Sequence, residues 1–151
     1  MIAKTFLITP LLLAATLAAA KTGPTDLKPL RSEEIQVILE GKSALYSPPG
    51  WGDAGMLEEF RNKGRWSGVH YGRGPSAFAG QWKIKDDQLC IRVEQGLEIA
   101  RLQEWFCRAV WRQEGSARLY MDHLLFNEGD IDPGPLQIAV RPLSERYGTA
   151  E

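Results

Sequence analysis

The sequence predicts a mainly β fold, a small antiparallel β-barrel or curved sheet with one N-terminal helix. Three observations lead to this prediction. Short runs in which apolar and polar residues alternate follow one another beyond residue 80, and turn-forming residues separate them. One segment only, near residue 35, has the apolar spacing of a helix. The connections are short, so consecutive strands are expected to pair antiparallel.

The helix is expected to begin at Ser32, whose hydroxyl can accept from a free backbone N–H. Two glutamates follow in the first turn, where the helix dipole favours negative charge. Ile35, Ile38 and Leu39 then form one apolar stripe. Gly41 is placed to end the helix in a left-handed conformation.

The clearest hairpin is predicted at residues 80–93. Trp82 and Ile84 alternate with lysines, Asp86 and Asp87 supply a turn, and a second alternating run follows from residue 89. A short strand is predicted at residues 43–46, before a loop at residues 47–55 that is rich in proline and glycine. Strands with tight turns are indicated from residue 56 to residue 74, and further strands are predicted at residues 105–112, 117–122 and 136–142. One helix and five to seven strands give a lipocalin-like barrel or a half-barrel.

The N-terminus has the pattern of a cleavable export signal, predicted at residues 1–20. Lys4 precedes a run of about a dozen mostly apolar residues, and three alanines ending at Ala20 suit signal peptidase. The run is too short to span a bilayer, which needs roughly 20 apolar residues. We therefore expect a periplasmic or secreted protein that is not an integral membrane protein, with an extended leader at residues 21–30, one β-rich domain at 31–143 and a loose tail at 144–151.

Charge and cysteine content narrow the function classes. The 18 basic and 19 acidic residues nearly balance, so nucleic acid is not an expected partner. The two cysteines, Cys90 and Cys107, are expected to form a disulfide, because an exported chain meets an oxidising compartment. The bond should contribute roughly 3 kcal/mol to stability.

No catalytic residues and no cofactor are predicted. The two histidines, His70 and His123, lack metal-ligand spacing, and a shared site would require the fold to bring them together. Ser67 lies outside any nucleophile-elbow motif. The adjacent acids at positions 58–59 and 86–87 are interpreted as solvated strand ends or turns, and the alternating acids Glu128, Asp130 and Asp132 as a solvated loop without calcium-hand spacing.

Five tryptophans are many for a chain of this size, and aromatic side chains beside glycines suit binding of sugars, peptides or proteins. Trp51, Trp66 and Tyr71 are therefore candidate binding residues. The alternative is that tryptophans fill the core, and it applies best to Trp82, Trp105 and Trp111. This alternative applies least to Trp51, because the proline- and glycine-rich loop that carries it is poorly suited to burial.

The helix followed by Gly41, then the Gly80-x-Trp82 strand leading to Cys90, and then Cys107, resembles a group of small exported bacterial proteins catalogued as domain of unknown function nine-nine-five. The likeness extends over roughly residues 30–120. It implies a periplasmic or secreted protein without assigned catalytic residues.

These observations favour an exported, non-enzymatic binding or accessory protein of the cell envelope. Its partner could be an envelope protein, a glycan or a small ligand. Two alternatives stay open: a small inhibitor that presents the loop at residues 47–55 or 72–75 to an envelope enzyme, and an unrecognised hydrolase. A hydrolase would need His70 or His123 in a pocket beside a carboxylate.

Overall fold

The computed structural model describes residues 25–72, 76–96, 103–124 and 133–143. One helix, α1 (Ser32–Leu39), and ten strands lie in these ranges. The strands are β1 (Leu27–Pro29), β2 (Lys42–Tyr46), β3 (Gly55–Arg61), β4 (Arg65–Tyr71), β5 (Ser76–Lys85), β6 (Gln88–Gln95), β7 (Phe106–Arg108), β8 (Val110–Gln113), β9 (Leu119–Met121) and β10 (Leu136–Pro142).

The ten strands form one antiparallel sheet in the order β1-β8-β9-β10-β2-β3-β4-β5-β6-β7. The sheet must curl strongly, because β7 ends the order, β8 lies near its beginning, and Ala109 alone separates them in the chain. Consecutive Cα atoms are 3.8 Å apart, so a single residue cannot bridge the ends of a flat sheet. The predicted mainly β, curved or half-barrel fold with a single helix is confirmed.

Two details differ from the sequence prediction. The strand expected at residues 105–112 divides at Ala109, because β7 pairs with β6 whereas β8 pairs with β1 and β9. The end of the expected leader forms β1, although a three-residue segment containing Pro29 has no alternating pattern to indicate a strand. The described residues therefore contain more strands than the five to seven expected.

The predicted β5–β6 hairpin is confirmed. Asp86 and Asp87 have φ angles of 52° and 56°, the left-handed pair that a two-residue hairpin turn requires. Strand β5 begins at Ser76, earlier than expected, and its register shifts between Ala79 and Gly80. A Cβ atom on Gly80 would lie 2.0 Å from the carbonyl oxygen of Arg92, so the irregularity needs glycine there.

The helix matches its predicted bounds, and Gly41 follows it with a φ of 71°. Its start differs in one respect, because the hydroxyl of Ser32 binds the β5–β6 turn instead of the helix backbone. Ser32 Oγ donates to Asp87 Oδ1 at 2.8 Å and accepts from the Asp87 backbone N–H at 3.2 Å. The Ser32 hydroxyl and the Ser32 backbone N–H, which donates to the same Oδ1 at 2.7 Å, hold the pKa of the exposed Asp87 carboxyl below its usual value.

Ile35 and Leu39 are fully buried on the inner side of the curled sheet, where α1 lies against β2, β5 and β6. The helix therefore covers the end of the sheet that carries the β5–β6 turn. The opposite end, where β2 and β4 finish and β3 and β5 begin, is described below.

Within the ranges it describes, the structure has no helix with the length and hydrophobicity that crossing a bilayer requires. The expected signal peptide at residues 1–20, the tail from residue 144 and the acids Glu128, Asp130 and Asp132 lie outside those ranges.

Candidate functional site

A fully buried ion pair lies inside the curled sheet. Met56, Glu58 and Phe60 alternate along β3 and all three are buried, so they point to the interior. The side chain of Arg108, on β7, reaches the same space and pairs with Glu58. The exposed fractions of the two side chains are 0% for Glu58 and 1% for Arg108.

The two oxygens of Glu58 accept three hydrogen bonds. Tyr46 Oη donates to Oε1 at 2.7 Å, Trp66 Nε1 donates to Oε2 at 3.0 Å, and Arg108 Nη2 donates to Oε2. Arg108 Nη1 also donates to the carbonyl oxygen of Asp122 at 3.1 Å. The network therefore joins β2, β3, β4, β7 and the segment after β9 across the interior.

Burial and charge set the protonation of this network. Burial, reinforced by the Glu58 carboxylate, raises the pKa of the Tyr46 phenol well above its ordinary value. Burial is the largest single effect on Arg108 and opposes its charge, but Glu58 and Tyr46 together outweigh burial, and the pKa of the guanidinium is raised. Tyr46 is therefore a neutral hydrogen-bond donor and Arg108 a cation at every physiological pH.

Alkaline pH is expected to destabilise the wild type more steeply than Tyr46→Phe. The phenol keeps its proton to a higher pH in the folded protein than in the unfolded chain, where its pKa is about 10. The resulting stabilisation is complete below that pH and is lost above it, by up to about 1.4 kcal/mol per pH unit. Urea unfolding between about pH 8 and pH 11 measures the slopes, with Tyr120→Phe as control, and equal slopes for wild type and Tyr46→Phe would contradict the expectation.

The interpretation of Glu58 and Glu59 as solvated acids is wrong, because both lie in a central strand and are buried. As neighbours in a strand they face opposite sides of the sheet, so they cannot act as a facing carboxylate pair. Glu59 Oε2 accepts from Arg61 Nη2 at 2.6 Å and from Ser67 Oγ at 3.1 Å on the outer side. The other acidic pair, at positions 86–87, forms the exposed turn as expected.

We call the end of the sheet opposite the helix the mouth. It is defined by the loop at residues 47–54 and by the side chains of Tyr46, Met56, His70 and His123. Met56 on β3 is the register partner of both Tyr46 on β2 and His70 on β4. On the inner face, these three residues are the next ones beyond Glu58 toward this end of the sheet. His123 follows β9, is 8% exposed, and has its ring 6.4 Å from that of Tyr46. The fold thus brings both histidines to the same end of the sheet.

The Trp51 ring packs edge-on against the rings of both histidines. Its ring centroid is 5.2 Å from that of His70 and 6.2 Å from that of His123, and both contacts are edge-on. Hydrogen bonds within the loop hold this position: the Trp51 N–H donates to the Pro48 carbonyl at 3.2 Å, and Ser47 Oγ donates to the Ala54 carbonyl at 2.6 Å. The half-buried indole therefore covers the mouth instead of projecting into solvent.

The three aromatic candidates do not form one site. Trp51 lies at the mouth, whereas Trp66 is 3% exposed and its indole N–H is bound to Glu58 in the interior. Tyr71 is half-buried on the outer face of β4, where a Cβ on Gly55 would lie 2.0 Å from its hydroxyl. A binding role for these residues stays a prediction, and the mouth favours Trp51.

The prediction that Trp82, Trp105 and Trp111 fill the core is right for Trp82 alone. Trp82 is buried and donates to the Arg61 carbonyl at 2.8 Å. Trp105 and Trp111 are half-buried, because the inward positions of β7 and β8 belong to Phe106, Arg108 and Val110. On the outer face, Lys83 Nζ lies 3.8 Å from the centroid of the Trp105 ring, a cation–π contact.

The disulfide is confirmed. Cys90 and Cys107 are directly paired between β6 and β7, with Cα atoms 4.0 Å apart, and they join the two strands expected from the sequence. Among the described residues, no group of three or more His, Cys, Asp or Glu side chains is arranged to hold a metal ion.

Sequence inspection missed Arg108 and the convergence of the histidines. Arg108 alternates with the apolar residues Phe106 and Val110, a pattern that indicates an inward-facing charge. Nothing in the sequence links His70 to His123.

The fold and the mouth define a small curled-sheet protein with a disulfide and an aromatic, histidine-containing open end. The chain matches no protein-family model, no curated protein and no solved structure. The resemblance to the exported bacterial family therefore stays a prediction from sequence motifs.

Proposed function

We propose that the protein is an exported, non-enzymatic binding protein of the cell envelope that takes a small ligand at the mouth. The observation that carries the proposal is the half-buried Trp51, held by an ordered loop over both histidines of the chain. An amphipathic aromatic ring at the rim of a barrel-like sheet is a typical lining of small-ligand sites.

The packing of the interior supports the mouth as the place of the ligand. Side chains such as Met56, Phe78, Val93 and Met121 fill the interior, and α1 covers the other end. Because the interior of a small barrel-like sheet is only wide enough for its own side chains, little free volume is left there for a ligand. The mouth, whose Trp51 and His70 side chains are only half-buried, is then the place where a ligand can contact the inner face.

The hydrolase alternative is less favoured. Glu58, the carboxylate one residue pair below the mouth, already accepts from Tyr46, Trp66 and Arg108. Because both oxygens of Glu58 are already occupied by these donors, the carboxylate is not placed to take a proton from a bound water, as a general base must. The inhibitor alternative requires an ordered loop that is presented to a target enzyme. The loop at residues 47–54 is held by hydrogen bonds, but its Trp51 ring packs against the protein itself and is not presented outward.

Export is supported by the signal pattern at residues 1–20 and by the Cys90–Cys107 disulfide, because such bonds persist in oxidising compartments. Protein from the exported fraction should begin near Lys21.

Trp51→Ala should abolish ligand binding while costing less than about 2 kcal/mol of stability, because a half-buried contact residue supports little core packing. Thermal shift against a defined panel of sugars, amino acids, fatty acids, quaternary amines and metal ions identifies ligands for wild type. Urea unfolding measures the stability of the variant.

Trp111→Phe, on the outer face, is the matched control and should bind as wild type does. A ligand bound equally well by Trp51→Ala would place the site elsewhere. A stability loss above about 2 kcal/mol would make Trp51 a core residue, and a panel without any ligand would count against the binding function.

A further inference from the structure

The outer face of strands β3–β6 is cationic, although the chain as a whole is not. Along each strand, the residues that alternate with the buried inner ones point outward. Over these four strands the charged outward positions are held by five cations and two acids, namely Arg61, Arg65, Lys83, Lys85 and Arg92 with Glu59 and Glu94. The whole sequence has 18 basic and 19 acidic residues, so its net charge conceals a local excess that attracts anions.

Four outward side chains lie in one row across these strands. Arg61 on β3 is the register partner of Arg65 on β4. Gln81 on β5 is the register partner of both Arg65 and Arg92. Neighbouring strands are about 4.8 Å apart, so the row runs about 14 Å at right angles to the strands. Three guanidinium groups and one amide therefore lie in single file on the outer face.

The cations of this face differ in how far nearby acids neutralise them. Arg61 lies 2.6 Å from Glu59, whose side chain is only 10% exposed, so this pair is fixed. The pair of Arg92 with Glu94, at 2.8 Å, is more exposed, and Arg92 can exchange its partner at little cost. The exposed cations that form no ion pair among the described residues are Arg65, Lys83 and Lys85.

Trp105 holds two of the cations together. Lys83 Nζ lies 3.8 Å and the guanidinium carbon of Arg92 lies 5.1 Å from the centroid of its ring. The indole attracts both groups, but two positive charges on one ring also repel each other. An anion bound between Lys83 and Arg92 would offset that repulsion and would contact side chains that the indole already holds in place.

The chemistry of this face favours an acidic polysaccharide over a lipid surface. A uronic-acid polymer has one carboxylate on each sugar, and guanidinium groups bind carboxylates with two parallel hydrogen bonds. Its extended chain suits a single row, and the exposed amide of Gln81 can donate to sugar hydroxyls. The large hydrophobic residue that is exposed in the described part of the chain is Val37, which lies on α1. Binding to a bilayer surface needs apolar side chains beside the charges, so a lipid surface fits this face less well.

We propose that the outer face of β3–β6 binds an acidic polysaccharide whose carboxylates pair with Arg65, Lys83 and Arg92. The chain of sugars crosses the strands along the row, and the amide of Gln81 donates to a sugar hydroxyl. The inference goes beyond the proposed function, because this face lies on the outside of the sheet, away from the mouth. It shares only the proposed export with that function, since such polymers lie outside the cytoplasm.

Titration of untagged mature protein with polygalacturonate, followed by tryptophan fluorescence, tests the proposal. Binding should change the emission of Trp105, so Trp105→Phe should lose the fluorescence change and Trp111→Phe should keep it. Raising the salt from about 0.05 M to about 0.5 M should weaken binding at least about tenfold, because salt screens exposed charge pairs. Neutral dextran, the control polymer, should not bind.

Isothermal titration calorimetry measures the contribution of single cations. Arg65→Gln and Lys83→Gln should each weaken polygalacturonate binding about threefold, the effect of one exposed charge pair. The double reversal Arg65→Glu with Lys83→Glu should weaken it at least about thirtyfold. Arg118→Gln is the matched control and should bind as wild type does, because Arg118 is exposed next to β9, outside strands β3–β6. All three side chains are exposed, so the variants should fold as wild type does, which circular dichroism checks.

Polygalacturonate that binds wild type and the double reversal equally, or dextran that binds as well, would overturn the proposal. Tighter binding to polyphosphate or to vesicles of phosphatidylglycerol would also overturn it, because the partner would then be a different polyanion. Trp51→Ala should bind polygalacturonate as wild type does. A ligand at the mouth without polygalacturonate binding would remove this inference alone, and the reverse result would remove the binding function of the mouth alone.

Discussion

Arg108→Met should lower the free energy of unfolding by about 3–5 kcal/mol, because it leaves the Glu58 carboxylate buried without its counter-ion. Tyr46 and Trp66 would still donate to Glu58, but neither carries charge. The carboxylate must then be protonated or hydrated inside the sheet. Guanidinium unfolding of wild type and variant at neutral pH measures the difference.

The double variant Glu58→Leu with Arg108→Met separates the cost of an orphaned charge from the value of the pair. Apolar replacement of a whole buried ion pair is often neutral, so the double variant should recover most of the loss despite leaving Tyr46 and Trp66 without their acceptor. Arg92→Met is the control, since the exposed Arg92–Glu94 pair should contribute less than about 1 kcal/mol. A loss below about 1 kcal/mol for Arg108→Met would show that the pair is hydrated.

Removing the Cys90–Cys107 disulfide should lower the free energy of unfolding by about 3 kcal/mol, the second large effect. The bond closes a loop between residues 17 apart and so restricts the unfolded chain. It also ties β7, three residues long and last in the sheet order, to β6.

The measurement compares oxidised wild type with Cys90→Ala/Cys107→Ala in urea. Wild type reduced and alkylated is a second sample in which the bond is absent. Since Arg108 follows Cys107 directly, the double cysteine variant should also loosen the ion pair. Equal stability of the oxidised protein and the double cysteine variant would contradict both expectations.

The β5–β6 hairpin shows which features sequence predicts well. Trp82, Ile84 and the second run alternate with period two, and Asp86-Asp87 adopts the left-handed turn. These are local properties of neighbouring residues, so the sequence contains all the information needed. The helix from Ser32 to Leu39 was predictable for the same reason.

The wrong predictions concern residues whose burial depends on which face of their strand points to the interior. Glu58 and Glu59 resemble a solvated acidic pair, yet Glu58 points into the interior and Glu59 is covered by the side chains of Arg61 and Ser67 on the outer face. Trp105, which precedes β7, and Trp111, in β8, share the hydrophobicity of Trp82 but lie on the outer face of the sheet. Alternation identifies two faces of a strand, and only the packed structure shows which face is inside.

The sequence by itself determined that this protein is a mainly β chain with an N-terminal helix, a disulfide between two strands and a predicted export signal, because each of these depends on residues close in sequence or on the count of cysteines. The tertiary structure alone decided the candidate site. His70 and His123 are far apart in the chain, and they meet at Trp51 only because the strand register and the curl of the sheet bring the ends of β4 and β9 to one mouth. Register is a cooperative property of all paired strands, so no single segment could reveal it.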